Sequence, residues 1–206
     1  MKSSLKWRFL SGLAAGVLLL LAATPSISQI TGTDHDFSSR GWGSNQICIF
    51  CHTPHNAATG LSAPLWNHAV TAATYTLYDS SVSSTFNATT SQPAGVSKLC
   101  LSCHDGTVAI DSFGGRTGTT NMTGDPNLGT NLTNDHPISF AYNAALATAD
   151  GGLVTPASAS SVVPGIPLFS GNLECASCHN VHSNTNSPFL RASNAASALC
   201  LRCHIK

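Results

Sequence analysis

The sequence predicts a mostly irregular coil with short α-helices and few short strands. Only 9% of the 206 residues are charged, and 17 are Gly and 10 are Pro. Gly, Ser, Thr, Ala and Asn dominate long stretches, and such stretches favour turns and loops over regular elements. The third observation is that every cysteine belongs to one short motif that recurs four times along the chain.

The first element is an N-terminal export signal. Lys2, Lys6 and Arg8 precede an apolar run over residues 9–23, and small residues surround a cut before Gln29. We expect residues 1–28 to be removed as a signal peptide, because the run is short for a membrane span and its flank is typical of a cleavage site. The protein should then be extracellular, on the cell surface or periplasmic, with no membrane span left after signal removal.

The mature chain, residues 29–206, is expected to be one domain made of two repeats, about 29–110 and 130–206, joined by a Gly/Thr/Asn-rich linker. Residues 93–103 and 193–203 predict short helices, and Pro93 suits a first helical turn. Residues 74–78 alternate as a strand does, with Phe86 as a hairpin partner. Residues 150–171 are again rich in Gly and Pro and predict loop.

The recurring motif is Cys-x-x-Cys-His, the attachment pattern of c-type haem. Two thiols three positions apart lie on one face of a helical turn, where they can form thioethers, and the adjacent histidine reaches the iron. Zinc sites and redox dithiols also use Cys-x-x-Cys pairs, but here a histidine follows every pair. The predicted thioether residues are Cys48, Cys51, Cys100, Cys103, Cys175, Cys178, Cys200 and Cys203, and the proximal iron ligands are His52, His104, His179 and His204.

Four covalently bound haem c groups share fewer than 180 residues, so we expect the chain to wrap around a chain of four haems that forms the core. Loss of Lys2, Lys6 and Arg8 lowers Lys+Arg from nine to six, against nine Asp+Glu. The mature protein is thus acidic, which gives no sign of a nucleic-acid partner.

An internal duplication assigns the remaining histidines. His35 corresponds to His136, and the Cys-His-x-x-His element ending at His55 corresponds to the one ending at His182. Met122 is the only methionine left after cleavage, so histidine is the expected second axial ligand. We therefore predict bis-histidine ligation, with these four histidines as distal ligands.

His55 and His182 follow their proximal histidines too closely to reach the opposite face of the same haem. They are expected to serve a neighbouring haem. His68 has no counterpart in the second half, and we expect it to pack near a haem edge or a propionate. It remains a possible alternative distal ligand, in which case His35 would be displaced.

Several segments resemble the doubled-CxxCH multihaem c-type cytochrome family. They include Cys51-His52-Thr53-Pro54-His55, the run from Leu99 to Thr107, and Asn134-Asp135-His136-Pro137. The nearest likeness is to the tetrahaem extracellular cytochromes of OmcE type, which polymerise into conducting filaments. One departure is Asn180-Val181, where the first half has Thr53-Pro54.

The resemblance implies electron transfer without enzymatic activity, in a homopolymeric filament where one axial histidine crosses between subunits. His35, near the mature N-terminus, is the candidate for that role. Redox proteins or extracellular acceptors would be the other partners. A soluble periplasmic shuttle is the alternative, and a multihaem reductase is disfavoured because five spare histidines suffice for four irons. The sequence itself identifies no catalytic residues.

Overall fold

Regular secondary structure is confined to short segments of the computed structural model, which describes residues 29–205. The predicted signal peptide lies outside the described residues. The α-helices are α1 (Gly95–His104), α2 (Ala144–Asp150) and α3 (Cys175–Cys178), and the strands are β1 (Phe140–Ala141) and β2 (Asn172–Leu173). Three 3-10 helices span Ile47–Phe50, Ala195–Ser197 and Cys200–Arg202. The expectation of a mostly irregular coil with few short elements is confirmed.

Helix α1 carries the second motif and begins two residues later than Pro93. Leu99 and Leu101 are buried on it. The helix ends at His104, where Asp105 follows as C-cap and Gly106 adopts a left-handed φ of +72°. A left-handed glycine soon after the last turn is a common helix stop. The predicted helix over residues 93–103 is thus confirmed with shifted ends.

Helix α2 was not predicted. The side chain of Asn143 caps it by accepting a 2.9 Å hydrogen bond from the Leu146 N–H, and Gly151 ends it in the left-handed region. Strand β1 just before it pairs antiparallel with β2, in the register Phe140↔Leu173 and Ala141↔Asn172. The strand pair brings the start of the second half beside the third motif.

The largest buried cluster is built from side chains of the second half. It contains Phe140, Tyr142, Val162, Ile166, Leu168 and Leu173. Three of these residues come from the segment 150–171, which we had expected to be plain loop. A second cluster joins Tyr75 and Leu101 to Leu132, which lies at the start of the second predicted repeat. Apolar side chains therefore supply a core of their own, and the Gly-rich segments contribute to it.

The predicted strand over residues 74–78 and its hairpin with Phe86 are wrong. Tyr75 is buried between exposed neighbours, as in an alternating strand. Its backbone, however, pairs with the side chain of Gln92 and not with a second strand. The Gln92 side chain accepts from the Tyr75 N–H and donates to the Tyr75 carbonyl, both at 2.9 Å. Thr76 forms only an isolated parallel bridge with Asn131. Phe86 contacts this segment through the ring of Tyr78, at 5.4 Å between centroids.

The predicted helix over residues 193–203 is also wrong as one element. Two separate 3-10 helices replace it, with left-handed φ values of +51° at Ala196 and +62° at Ser197. The exposed Ala/Ser/Asn stretch has no apolar stripe to bury, and packing of such a stripe is what stabilises short helices. Within residues 29–205, no helix has the length and apolar character needed to cross a bilayer.

Candidate haem-binding site

Each Cys-x-x-Cys-His motif folds as about one helical turn. The histidine N–H donates to the carbonyl of the first cysteine in three motifs, at 2.8 Å for His52, 3.0 Å for His179 and 3.0 Å for His204. The second motif instead closes the last turn of α1. A single turn places residues three apart on the same face. The two thiols of each motif can therefore both bond to one planar group.

Proline carbonyls orient three of the motif histidines. The Nδ1 atoms of His52, His104 and His179 lie 2.8, 2.8 and 3.1 Å from the carbonyl oxygens of Pro64, Pro126 and Pro188. A hydrogen bond at Nδ1 fixes the ring tautomer and leaves Nε2 as the ligating atom, as metal-bound histidines require. Sequence reasoning missed these prolines, and their only signal was a proline 9 to 22 residues after each motif histidine.

Three pairs of histidines face each other at the spacing of two ligands on one metal ion. A metal–imidazole bond of about 2.0–2.1 Å puts two opposed ring centroids roughly 6.3 Å apart. The rings can take any mutual angle about that axis, because both planes contain it. The observed separations are 6.1 Å for His35 and His104, 6.2 Å for His52 and His182, and 6.3 Å for His136 and His204.

The pair His35 and His104 is the most enclosed. Its ring planes are almost perpendicular, at 89°. Burial, aided by the nearby His104, lowers the pKa of His35 to about 4. Its buried Nδ1 has no hydrogen-bond partner, and the Phe189 ring packs on it at 4.7 Å. A neutral, desolvated imidazole is a good metal ligand because it requires no deprotonation.

The pair His52 and His182 joins the two halves of the chain. The planes are 25° apart, and burial together with the charge of His52 lowers the pKa of His182. Gln29 holds this region by donating its N–H to the His182 carbonyl at 3.3 Å. His182 thus lies beside the first motif and not beside the motif three residues before it, as the spacing argument required.

The pair His136 and His204 serves the fourth motif, with 74° between the planes. The Nδ1 of His136 lies 2.9 Å from the Pro137 carbonyl oxygen, which again turns Nε2 outward. Within the sequence repeat this pair is the counterpart of His35 and His104.

His55 and His179 complete the set of predicted ligands, and both are exposed. In the described part of the chain, neither faces another imidazole at a comparable distance. His55 lines a cleft of about 740 Å³ together with Trp66, Phe113 and Arg116.

His68 is buried with only 5% of its surface exposed. Its Nδ1 lies 2.7 Å from the Ala69 carbonyl oxygen, and its Nε2 lies 3.1 and 3.2 Å from those of Ala109 and Ile110. The Cys103 Sγ is 3.5 Å from Nε2. Both ring nitrogens are thus occupied by the backbone, and this geometry favours a histidine packed beside the second motif over an iron ligand.

The motif cysteines follow one another in space in their sequence order. Burial and then the neighbouring Cys51 raise the pKa of Cys103, which links the first motif to the second. The neighbouring Cys175 raises the pKa of Cys100, and Cys100 in turn lowers the pKa of Cys175, which links the second motif to the third. Burial and then Cys178 raise the pKa of Cys203 to about 11, which links the third to the fourth.

Helices α1 and α3 make the central link rigid. The Cys175 N–H donates to the Ser97 hydroxyl at 2.9 Å, and Ser97 is fully buried. A row of four adjacent attachment sites, each offering two thiols and a histidine, fits covalently bound haem c. Among residues 29–205, no three His, Cys, Asp or Glu side chains converge as metal ligands.

Two buried carboxylates border the second and third motifs, and sequence reasoning did not single them out. Asp105 follows His104 directly and is 4% exposed, whereas Glu174 precedes Cys175 and is 2% exposed. Burial favours the neutral acid at Asp105, but hydrogen bonds from Tyr75, Thr107 and Thr71 outweigh it and hold its pKa below the ordinary value. The only sequence signal was an acidic residue adjoining a haem motif.

Residues 167–206 match the doubled CXXCH motif family. No curated protein matches the chain. The matched range contains the third and fourth motifs, whose geometry is described above. The match supports a multihaem c-type cytochrome-like protein, and the motifs imply covalently bound haem c. Electron transfer is the function that such a protein indicates.

Proposed function

We propose that the chain is an exported tetrahaem electron carrier whose subunits polymerise into an extracellular conducting filament. The observation that carries this proposal is the set of three histidine pairs at 6.1, 6.2 and 6.3 Å, together with two motif-associated histidines left over. Bound haem c would supply the one-electron carrier at each site.

The chain's own residues would hold four such groups in a row. Each cysteine pair would attach one group covalently, and the motif histidine with a second histidine would ligate its iron. Bis-histidine sites have no exchangeable position, which suits electron transfer and disfavours a reductase. Proline carbonyls keep three of the motif histidines from rotating, so that little reorganisation accompanies a change of charge at the metal.

The repeat supports His55, rather than His35, as the histidine that crosses between subunits. His35 with His104 and His136 with His204 are equivalent pairs in the two halves. The counterpart of His52 with His182 would be His179 with His55, which are both exposed. A second copy of the chain can provide that pair if it docks head-to-tail, and a head-to-tail contact that does not close produces an open filament.

His55→Ala is the test of this arrangement, with His68→Ala as the matched control. Wild-type secreted protein should form filaments in electron micrographs, with all iron low-spin by magnetic circular dichroism. We expect the His55 variant to remain monomeric, with one high-spin iron per chain, while the His68 variant assembles normally.

Dilution distinguishes between His55 and His35 as the histidine that one subunit donates to its neighbour. If His55 crosses the interface, dissociated wild-type protein gains one high-spin iron, whereas His35→Ala has a high-spin iron at every concentration. Monomers with four low-spin haems under all conditions would instead support the soluble periplasmic shuttle. Rapid binding of carbon monoxide to the native assembly would favour a reductase.

A further inference from the structure

The second motif is bordered by buried negative charge from two directions. Asp105 lies on its C-terminal side, as the C-cap of α1 directly after His104. Glu174 reaches the start of α1, where a Cβ on Gly95 would lie 3.3 Å from its Oε1, and after the effects of Cys175 and burial its charge also raises the pKa of Cys100. Both carboxylates therefore act on the place where the second haem would be attached.

Uncharged groups donate hydrogen bonds to the Asp105 carboxylate and stabilise its ionised form. Tyr75 Oη and Thr71 Oγ1 donate to its Oδ2 at 2.6 and 2.7 Å, and the Thr107 N–H and Oγ1 donate to its Oδ1 at 2.7 and 2.8 Å. Every one of these donors is an uncharged hydroxyl or amide. They stabilise the carboxylate without cancelling its charge, so its field persists in a low-dielectric setting.

Glu174 is held in a similar way. The Ser139 hydroxyl donates to Oε2 at 3.0 Å, and the Ser177 N–H bonds the same side chain in a capping box at the start of α3. At the third motif its charge is opposed, because Arg191 lies near Cys178 and donates from Nε to the Ala176 carbonyl at 2.7 Å. The second motif is therefore the more negative of the two central sites.

We propose that Asp105 and Glu174 hold the reduction potential of the haem at the second motif below that of the haem at the third motif. A fixed negative charge stabilises the oxidised iron, which carries one more positive charge than the reduced iron, and the stabilisation is large where water is excluded. This inference rests on the proposed tetrahaem function. It assigns a potential-tuning role to two residues that do not ligate the metal.

The test is a spectroelectrochemical titration of the haem-loaded protein. Asp105→Asn should raise the midpoint of the second site and leave the others nearly unchanged. Asp79→Asn is the control, because Asp79 is an exposed carboxylate that also accepts from a hydroxyl, that of Ser81. His35→Met marks the second site, since methionine ligation raises the potential of the iron it binds.

Tyr75→Phe separates tuning from a structural role. It removes one donor but keeps the carboxylate charge, so the midpoint of the second site should fall, opposite to the shift of Asp105→Asn. Midpoints that move in the same direction in both variants, or an Asp105→Asn shift at a midpoint that His35→Met does not move, would overturn the proposal. Glu174→Gln provides a second upward shift if Asp105→Asn fails to fold.

Pyridine haemochrome analysis keeps the two proposals distinct. Fewer than four haems per chain would overturn the tetrahaem function itself. Four haems with midpoints indifferent to Asp105 and Glu174 would overturn only the tuning role.

Discussion

The imidazoles of His52 and His182 lie 6.2 Å apart with planes at 25°, although the two residues come from opposite halves of the chain. Neither belongs to the other's motif. The second half therefore places an imidazole opposite the motif histidine of the first half.

Replacement of His182 tests that relationship. We expect His182→Ala to convert about one quarter of the bound iron from low-spin to high-spin, because His52 would lose its opposed partner. Electronic absorption and carbon monoxide binding measure the fraction. His68→Ala should leave the spin state unchanged, and the reverse result for the two variants would make His68 the ligand.

Gly106 is expected to be intolerant of a side chain. A Cβ there would lie 2.7 Å from Asn127 Nδ2, and the backbone φ is +72°. Gly106→Ala should lower stability by more than the roughly 1–2 kcal/mol that a left-handed alanine costs. It should also disturb the adjacent Pro126 carbonyl that orients His104.

Gly114→Ala is the matched control, because φ is +62° and no heavy atom lies within 4 Å of the added Cβ. Denaturant unfolding compares the two variants. Equal losses of stability would show that the left-handed backbone conformation alone causes the loss. The Asn127 side chain would then move away from the added methyl group.

The apolar cluster of the second half should contribute strongly to stability. Leu168 is 5% exposed within it, so Leu168→Ala should cost about 2–5 kcal/mol of unfolding free energy. Leu128 is 40% exposed, and Leu128→Ala should change stability by less than about 0.5 kcal/mol. Similar small losses in both variants would show that bound haem, and not this apolar cluster, stabilises the fold.

The cap of helix α2 predicts a smaller effect. Asn143→Ala removes the acceptor for the Leu146 N–H and should cost about 1 kcal/mol. Asn45→Ala, in an exposed loop, serves as the control in thermal unfolding. A stable Asn143 variant would mean that packing of Ala147 and Leu146 alone maintains the helix.

Local features of the fold were predictable where short-range chemistry decides them. The one-turn geometry of the motifs and the helix ending at His104 both follow from spacing and composition. The irregular backbone at Tyr75 was not predictable, because the side chain of Gln92, 17 residues away, satisfies its N–H and carbonyl. Helix α2 was also missed, since a short, Ala-rich segment with Leu146 as its one large apolar residue gives a weak pattern and the Asn143 cap was not recognised.

The site divides in the same way. The motifs and the repeat identified which histidines are candidate ligands, but spacing says only that His182 is expected to reach a different haem from the one attached just before it. Which one it reaches depends on how the halves pack. Likewise, the acceptor prolines and the buried Asp105 gain their roles from neighbours that are remote in sequence, such as Tyr75.

The contact of Gln29 with His182 determines the order in which the protein can mature. Residues 29–52 are synthesised long before residue 182, yet Gln29 and His52 both contact His182. The imidazole of His52 therefore lacks its opposed partner until most of the polypeptide has been made. A chain with such distant pairings folds late and as a unit, so a truncated product would carry an incomplete first site.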